Sequence, residues 1–136
     1  MRTARDVMTP NPRTVTPDTS VWDALAIMRQ DEVRHLPVVR EGRLVGVLSN
    51  RDYRRILERA RPDGSVRGVF DLRVSEIMSG DGLVTAEPER PVRNLARLIV
   101  ERKVGCIPIV DRGGRLVGMV TQKDVLASLI GLRDRP

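Results

Sequence analysis

The chain has 136 residues, of which 40% are hydrophobic and 31% charged, so it is long enough to bury a core as a globular domain. Its formal net charge of +6 rests on arginine, because Lys103 and Lys123 are the only lysines, and only 2% of the residues are aromatic. The single cysteine, Cys106, excludes an intrachain disulfide and a cysteine-based zinc site, and the lack of a long apolar run excludes a membrane span and favours the cytoplasm.

The first half of the chain predicts a short opening strand near Thr14-Val15, then a helix, a β-hairpin and a second helix. The first helix has apolar residues at helical spacing on one face: Val21, Ala24, Leu25 and Met28. The runs Leu36–Val39 and Leu44–Leu48, joined by Glu41-Gly42, are typical of a hairpin. The closing helix has an apolar face made of Tyr53, Ile56, Leu57 and Ala60.

The second half repeats this order of elements. An opening strand is predicted near Thr85-Ala86, and Pro91 suits the first turn of a helix whose apolar face is Val92, Leu95, Ala96 and Ile99. The runs Ile107–Val110 and Leu116–Val120 flank a turn at Gly113-Gly114. The last helix has an apolar face made of Val125, Leu126, Leu129 and Ile130.

These repeats predict an α+β fold with residues 1–60 as the first repeat and residues 74–136 as the second. Residues 61–73 are rich in proline, glycine and aspartate and are predicted to be the linker. Because one repeat is small for independent stability, we expect the two β-α-β-β-α repeats to pack sheet to sheet with pseudo-twofold symmetry.

The motif Ser49-Asn50-Arg51-Asp52 follows a predicted strand and opens a helix, and Thr121-Gln122-Lys123-Asp124 repeats it. A hydroxyl followed three residues later by a carboxylate is close to a capping box, which satisfies free N–H groups at a helix start. Capping does not explain the cations Arg51 and Lys123, which the helix dipole disfavours unless an anion such as phosphate is bound. The carboxylates can also accept hydrogen bonds from a ribose diol, so capping and ligand binding both stay open.

Other residues allow a structural and a functional interpretation. Gly46 and Gly118 lie in the middle of strands, which indicates tight packing or the close approach of a ligand. Met8 and Met78 begin the repeats and favour core packing. A stripe of arginines at helical spacing is typical of a solvated helix face: Arg51, Arg55 and Arg59.

Catalysis is not indicated by the sequence. His35 is the only histidine and holds the position of Cys106 in the other repeat, and no third group is predicted to orient them as a nucleophile pair. Phosphate-loop, dinucleotide-binding and zinc-protease motifs are missing. We therefore predict no catalytic residue, no metal site and no obligatory cofactor.

The doubled motifs resemble the CBS domain, named for cystathionine β-synthase. The first copy reads V-M-T, H-L-P-V-V and L-V-G-V-L-S-N-R-D, and the second reads I-M-S, C-I-P-I-V and L-V-G-M-V-T-Q-K-D. The resemblance covers nearly the whole chain and is greatest to stand-alone pairs of the acetoin-utilisation type. It implies a Bateman module, in which two repeats form two clefts that bind AMP, ADP, ATP or S-adenosylmethionine.

The resemblance also implies the residues of each cleft. Asp52 and Asp124 would accept hydrogen bonds from ribose hydroxyls, with Ser49 and Thr121 beside them. The residues implied for the Asp52 cleft are Met8, Arg13, Thr14, Val33 and Arg34, with His35 near the phosphates. Those implied for the Asp124 cleft are Met78, Val84, Thr85, Val104 and Gly105, followed by Cys106. The Asp52 cleft would have Arg34 and His35 near the phosphates, where the Asp124 cleft has Gly105 and Cys106. We therefore expect phosphate to prefer the Asp52 cleft.

The predicted function is a regulatory module that senses an adenine nucleotide and signals in trans to an effector protein. The resemblance further implies a homodimer, and no membrane partner is expected. One alternative is a structural or interaction module without a ligand, and another is a sensor of S-adenosylmethionine or NAD. Direct binding to nucleic acid is disfavoured, because aromatic residues are not interleaved with the basic ones.

Overall fold

The computed structural model describes residues 2–58 and 71–131, which divide into two compact units. The Asp52 unit comprises residues 13–41, 45–58 and 71–83, and the Asp124 unit comprises residues 2–12, 42–44 and 84–131. Each unit therefore combines the main part of one repeat with the opening segment of the other. The predicted repeat boundaries and sheet-to-sheet packing stay predictions, and residues 61–70 of the predicted linker lie outside the described ranges.

The structure confirms the α+β fold with a helix, a hairpin and a second helix in each repeat. In chain order, the elements are α1 (Ala4–Val7), β1 (Thr9–Pro10), α2 (Val21–Asp31), β2 (His35–Arg40), β3 (Arg43–Ser49), α3 (Asn50–Leu57), a 3-10 turn (Val74–Glu76), α4 (Val92–Arg102), β4 (Cys106–Val110), β5 (Leu116–Thr121) and α5 (Gln122–Leu129). The two predicted opening strands are reduced to single parallel bridges, Val15 with Val38 and Ala86 with Ile109. The sequence analysis did not predict α1, β1 or the 3-10 turn.

The Asp52 unit buries one face of α2 and of α3 with the β2–β3 hairpin. The hydroxyl of Ser20 accepts a hydrogen bond from the Asp23 backbone N–H (3.0 Å) and so caps α2. The hairpin turn Glu41-Gly42 has positive φ at both residues, 53° and 81°, as expected for the turn type that matches strand twist. The core residues are Val15, Val21, Ala24, Met28, Leu36, Val38, Leu48, Tyr53, Val74 and Ile77.

The Asp124 unit contains an antiparallel sheet in the order β1-β5-β4. Pro91 is the N-cap of α4 and so lies just before the first turn, whereas the sequence analysis placed it within that turn. The core residues are Ala4, Val7, Met8, Ala86, Val92, Leu95, Ile107, Ile109, Val120 and Val125. Within the described ranges, no helix has both the length and the apolar character needed to cross a bilayer.

Candidate functional site

The predicted motif at Ser49–Asp52 forms a complete capping box at the start of α3. The Ser49 backbone N–H and hydroxyl both donate to Asp52 Oδ2, at 2.8 and 3.1 Å, and the Asp52 N–H donates back to Ser49 Oγ at 3.3 Å. Asp52 is only 3% exposed. Because a buried charge is costly unless it is paired and hydrogen-bonded, this network is what lets a carboxylate stay beneath the surface.

The second carboxylate oxygen of Asp52 faces an arginine from the next turn of α3. Arg55 Nη2 donates to Asp52 Oδ1 at 2.9 Å, and the Arg55 side chain remains 54% exposed. Arg55 is exposed, as expected for a solvated helix face, and it also pairs with the predicted ligand-binding carboxylate. The spacing of three residues on a helix was the sequence signal for this pair. Arg59, the last member of the predicted arginine stripe, lies outside the described residues.

Three other predicted residues of the Asp52 unit, Thr14, Arg34 and His35, lie at the end of the sheet where β2 begins and β3 finishes. The Arg34 carbonyl accepts a hydrogen bond from Asn50 N at 3.1 Å, which ties the start of β2 to the start of α3. Thr14 precedes the parallel bridge between Val15 and Val38, so it lies at the end where β2 begins and β3 finishes. The structure thus brings five predicted residues to one end of the sheet: Thr14, Arg34, His35, Ser49 and Asp52.

This end of the sheet has a basic surface around one buried acid, Asp52. Burial is the main reason why the pKa of His35 is lowered; the Asp52 carboxylate acts in the opposite direction, and Arg34 and Arg51 lower it further. Arg34 and Arg51 are exposed and half-buried His35 lies beside them. The neutral imidazole can donate or accept a hydrogen bond, and the two guanidinium groups favour an anion.

Two predicted residues at this site have other partners or a marginal position. Arg13 Nη1 makes an ion pair with Asp31 Oδ1 at 3.2 Å, at the end of α2. Val33 is 39% exposed, on the segment between α2 and β2. Arg13 is therefore held by a protein carboxylate in this structure, whereas Val33 is accessible.

The Asp124 unit repeats the capping geometry. The Thr121 N–H and hydroxyl donate to Asp124 Oδ2 at 2.9 and 3.1 Å, and Asp124 N–H donates to Thr121 Oγ1 at 3.3 Å. Gln122 N donates to the Gly105 carbonyl at 3.1 Å, and its side-chain amide donates to the Val104 carbonyl at 3.3 Å. Asp124 is 9% exposed.

The surroundings of Asp124 differ from those of Asp52 in the residue that begins the neighbouring strand, which is Cys106 on β4 and His35 on β2. Cys106 is buried at the start of β4, and burial raises the pKa of its thiol to about 12. The thiol is therefore protonated at neutral pH and brings no charge. Thr85 precedes the bridge between Ala86 and Ile109, and half-buried Val84 packs against the core of this unit. An open depression of about 500 Å³ includes Thr85 but none of the other predicted site residues.

The two predicted methionines pack against the two mid-strand glycines. In the Asp124 unit, a Cβ atom on Gly118 would lie 2.9 Å from Met8 Cγ, and in the Asp52 unit one on Gly46 would lie 3.1 Å from Met78 Cγ. Tight packing is thus the structural reason for both glycines. Met8 belongs to the Asp124 unit and Met78 to the Asp52 unit. Their predicted places in the Asp52 and Asp124 clefts, respectively, stay predictions.

Metal binding finds no support in the part of the chain that the structure describes. No group of three or more His, Cys, Asp or Glu side chains there is arranged to hold a metal ion. The chemistry available at the two capped carboxylates is hydrogen bonding and charge, which is what recognition of a polar ligand requires.

Comparison with known proteins gives a consistent family match. The family model described as CBS domain matches residues 4–59 and 74–131. Protein MJ1225 of Methanocaldococcus jannaschii is 33% identical over 126 residues, covering 89% of this chain and 45% of its own length. Inosine-5'-monophosphate dehydrogenase of Aquifex aeolicus is 37% identical over 117 residues, covering 85% of this chain and 22% of the enzyme. The chain thus spans less than half the length of either of these relatives.

Solved structures agree with the sequence matches. CBSX2 in complex with AMP is 31% identical, with a TM-score of 0.81 over 96% of this chain and 97% of that one. A putative acetoin utilization protein (AcuB) from Vibrio cholerae is 28% identical, with a TM-score of 0.81 over 96% and 91% of the two chains. The CBS domain pair of protein MJ0100, in complex with 5'-methylthioadenosine and S-adenosyl-L-methionine, is 27% identical, with a TM-score of 0.81 over 96% and 100%.

Proposed function

This chain belongs to the CBS-domain family, and on that premise we propose that it is a regulatory module that binds an adenine nucleotide at Asp52. The observation that carries the proposal is the buried Asp52 carboxylate, which lies at the same end of the sheet as Thr14, Arg34 and His35. The ligands named for CBSX2 and MJ0100 share an adenosine group. A ribose offers two vicinal hydroxyls, which a carboxylate can accept as charged hydrogen bonds.

Charge around the carboxylate supports a phosphate-bearing ligand such as AMP, ADP or ATP at Asp52. Arg34 and Arg51 carry permanent positive charge there, and His35 can become protonated when a phosphate approaches. The equivalent residues of the Asp124 site are Gly105, Lys123 and Cys106, so that site offers one cation in place of two. We propose that the Asp52 site is the one with the higher affinity for the nucleotide.

The proposed role is regulation rather than catalysis. The dehydrogenase relative is matched over only 22% of its length, so its activity does not transfer to this chain. Burial keeps the Cys106 thiol protonated, so this cysteine is not an activated nucleophile. Binding would therefore act by changing how the module contacts an effector protein, in trans.

A second copy of the chain is the proposed structural partner. The last helix, α5, exposes Leu126 and Leu129, and its C-cap Ile130 continues the same spacing; the exposed fractions are 60%, 66% and 73%. Three large apolar side chains on one exposed face favour a protein contact. Light scattering on the Leu126→Glu variant checks this, since a homodimer through α5 should dissociate and a homodimer elsewhere should not.

Thermal shift with a ligand panel tests the proposed function. AMP, ATP, NAD, S-adenosylmethionine and a short DNA duplex are added to the wild type, Asp52→Asn and Asp23→Asn. Asp23 is the matched control, because it holds the same third position in a capped helix of the same unit and is exposed. A ligand at a hundred times its Kd stabilises the fold by about 2.7 kcal/mol.

The outcomes of the panel separate the candidate functions. The proposal expects stabilisation by an adenine nucleotide that is lost in Asp52→Asn and kept in Asp23→Asn. Stabilisation by S-adenosylmethionine or NAD alone would reassign the ligand. No response to any compound would favour an interaction module, and a response to DNA alone that collapses with salt would favour nucleic-acid binding.

A further inference from the structure

We propose that Arg55 is a specificity-determining residue, a displaceable cover on Asp52 that makes the site favour ligands with a phosphate over uncharged adenosine compounds. This inference rests on the proposed function, because it concerns the same carboxylate. It assigns a role to a side chain that lies outside the Ser49–Asp52 motif.

The two oxygens of the Asp52 carboxylate have different tasks. Oδ2 accepts from the Ser49 N–H and hydroxyl and so belongs to the capping box of α3. Oδ1 accepts from Arg55 Nη2 at 2.9 Å. A ribose hydroxyl that approaches Oδ2 would have to break the helix cap, whereas one that approaches Oδ1 needs only to displace the arginine. Oδ1 is therefore the oxygen available for a ligand.

The mobility of the two partners is unequal. The Asp52 side chain is 4% exposed and fixed by the cap, whereas the Arg55 side chain is 54% exposed. A long, half-exposed arginine can change rotamer without disturbing the core, and a buried carboxylate in a hydrogen-bond network cannot. Ligand binding at Oδ1 would therefore move Arg55 and leave Asp52 in place.

Displacement of Arg55 changes affinity according to the charge of the ligand. A partly exposed ion pair contributes at most about a fivefold factor to an equilibrium constant, and an uncharged nucleoside loses that factor when it breaks the pair. A nucleotide phosphate gives the displaced guanidinium a new anionic partner, so the loss is recovered. Arg55 thus selects for the charge of the ligand.

The second repeat differs from the first in its sequence at the position of Arg55. Asp124 aligns with Asp52, and the residue three positions later is Ala127, where the first repeat has Arg55. The capping geometry is the same in both repeats. The proposed selection by Arg55 therefore concerns the Asp52 site.

Isothermal titration of AMP and of adenosine tests the inference on the wild type, Arg55→Ala and Arg54→Ala. Arg54 is the matched control: it is a neighbouring exposed arginine on α3, so its loss changes the net charge equally. In Arg55→Ala we expect adenosine to bind two- to fivefold more tightly and AMP to keep its wild-type affinity. The ratio of the adenosine Kd to the AMP Kd should therefore fall two- to fivefold, and Arg54→Ala should leave it unchanged.

Other outcomes distinguish this inference from the proposed function. If the wild type binds AMP and Arg55→Ala keeps the same ratio, the inference is wrong and the proposed function stands. If Arg55→Ala weakens both ligands equally, Arg55 only positions Asp52, and selection by charge is also wrong. If the wild type binds neither ligand, the proposed function fails and the inference fails with it. Arg55→Lys, which keeps the charge, should retain most of the wild-type ratio.

Discussion

Replacement of Gly118 by alanine should destabilise the Asp124 unit through Met8. An added Cβ would lie 2.9 Å from Met8 Cγ and 3.2 Å from Met8 Cβ, well inside the ordinary carbon contact distance of about 3.5–4.0 Å. Met8 is 6% exposed. It immediately precedes β1 in the chain, and β1 is paired with β5. It therefore has little room to move away.

The size of the effect follows from two opposing contributions. Overpacking of a core typically costs about 1–3 kcal/mol. Replacing a strand glycine by alanine returns about 0.5–1 kcal/mol of backbone entropy. The expected net loss in the free energy of unfolding is therefore about 0–2.5 kcal/mol. In a Met8→Ala background the Cγ and sulfur are gone, so the same Gly118→Ala change should be neutral or slightly stabilising.

Urea denaturation of the four proteins in this double-mutant cycle gives the coupling energy directly. Gly113→Ala is the matched control, because a Cβ there meets only Asp111 Oδ1 at 3.4 Å, and it should stay within about 0.5 kcal/mol of the wild type. An equal effect of Gly118→Ala with and without the Met8 side chain would refute the packing explanation.

Two further predictions concern the helix end and the histidine. Lys103 is the C-cap of α4 and has φ at 54°, a backbone region that costs a non-glycine residue about 1–2 kcal/mol. Lys103→Gly should therefore raise the free energy of unfolding by about 0.5–1 kcal/mol in urea denaturation. The folded-state pKa of His35 is below its ordinary value of 6.5, so the unfolded chain binds the proton more readily. Stability should therefore fall as pH falls below about 6.5. The His35→Gln variant should lose this pH dependence in thermal melts.

Each of these predictions has a contrary result. A Lys103→Gly protein that is less stable than the wild type would mean that the lysine side chain contributes more than its backbone conformation costs. Equal pH dependence in the wild type and His35→Gln would mean that burial of the imidazole does not shift its protonation. Glu32 is the C-cap of α2 in the same left-handed conformation, so Glu32→Gly repeats the Lys103→Gly test independently.

The repeated helix–hairpin–helix order could be predicted from the sequence because apolar periodicity and turn residues are local signals. Val21, Ala24 and Met28 are buried on α2 as their spacing indicates, and the Glu41-Gly42 turn joins two strands. The capping boxes at Ser49 and Thr121 were also visible, because both partners lie within one helical turn.

The composition of the two units could not be read from the same signals. Residues 2–12 pack with the second repeat and residues 71–83 with the first, and no local pattern encodes such a long-range pairing. The contact between Met8 and Gly118 depends on that pairing, so each residue looked ambiguous alone. The exposure of Arg55 was predicted correctly, but its pairing with buried Asp52 was not, because a stripe of exposed arginines does not show which of them has a buried partner.

Isothermal titration of AMP against the wild type, Asp52→Asn and Asp124→Asn tests the central claim most directly. Loss of a charged hydrogen bond of about 1.5–3 kcal/mol at Asp52 should weaken AMP binding at least tenfold. The account predicts a larger loss for Asp52→Asn than for Asp124→Asn, with both variants folded by circular dichroism. An AMP affinity in Asp52→Asn within twofold of the wild type would contradict the assignment of this carboxylate as the nucleotide site.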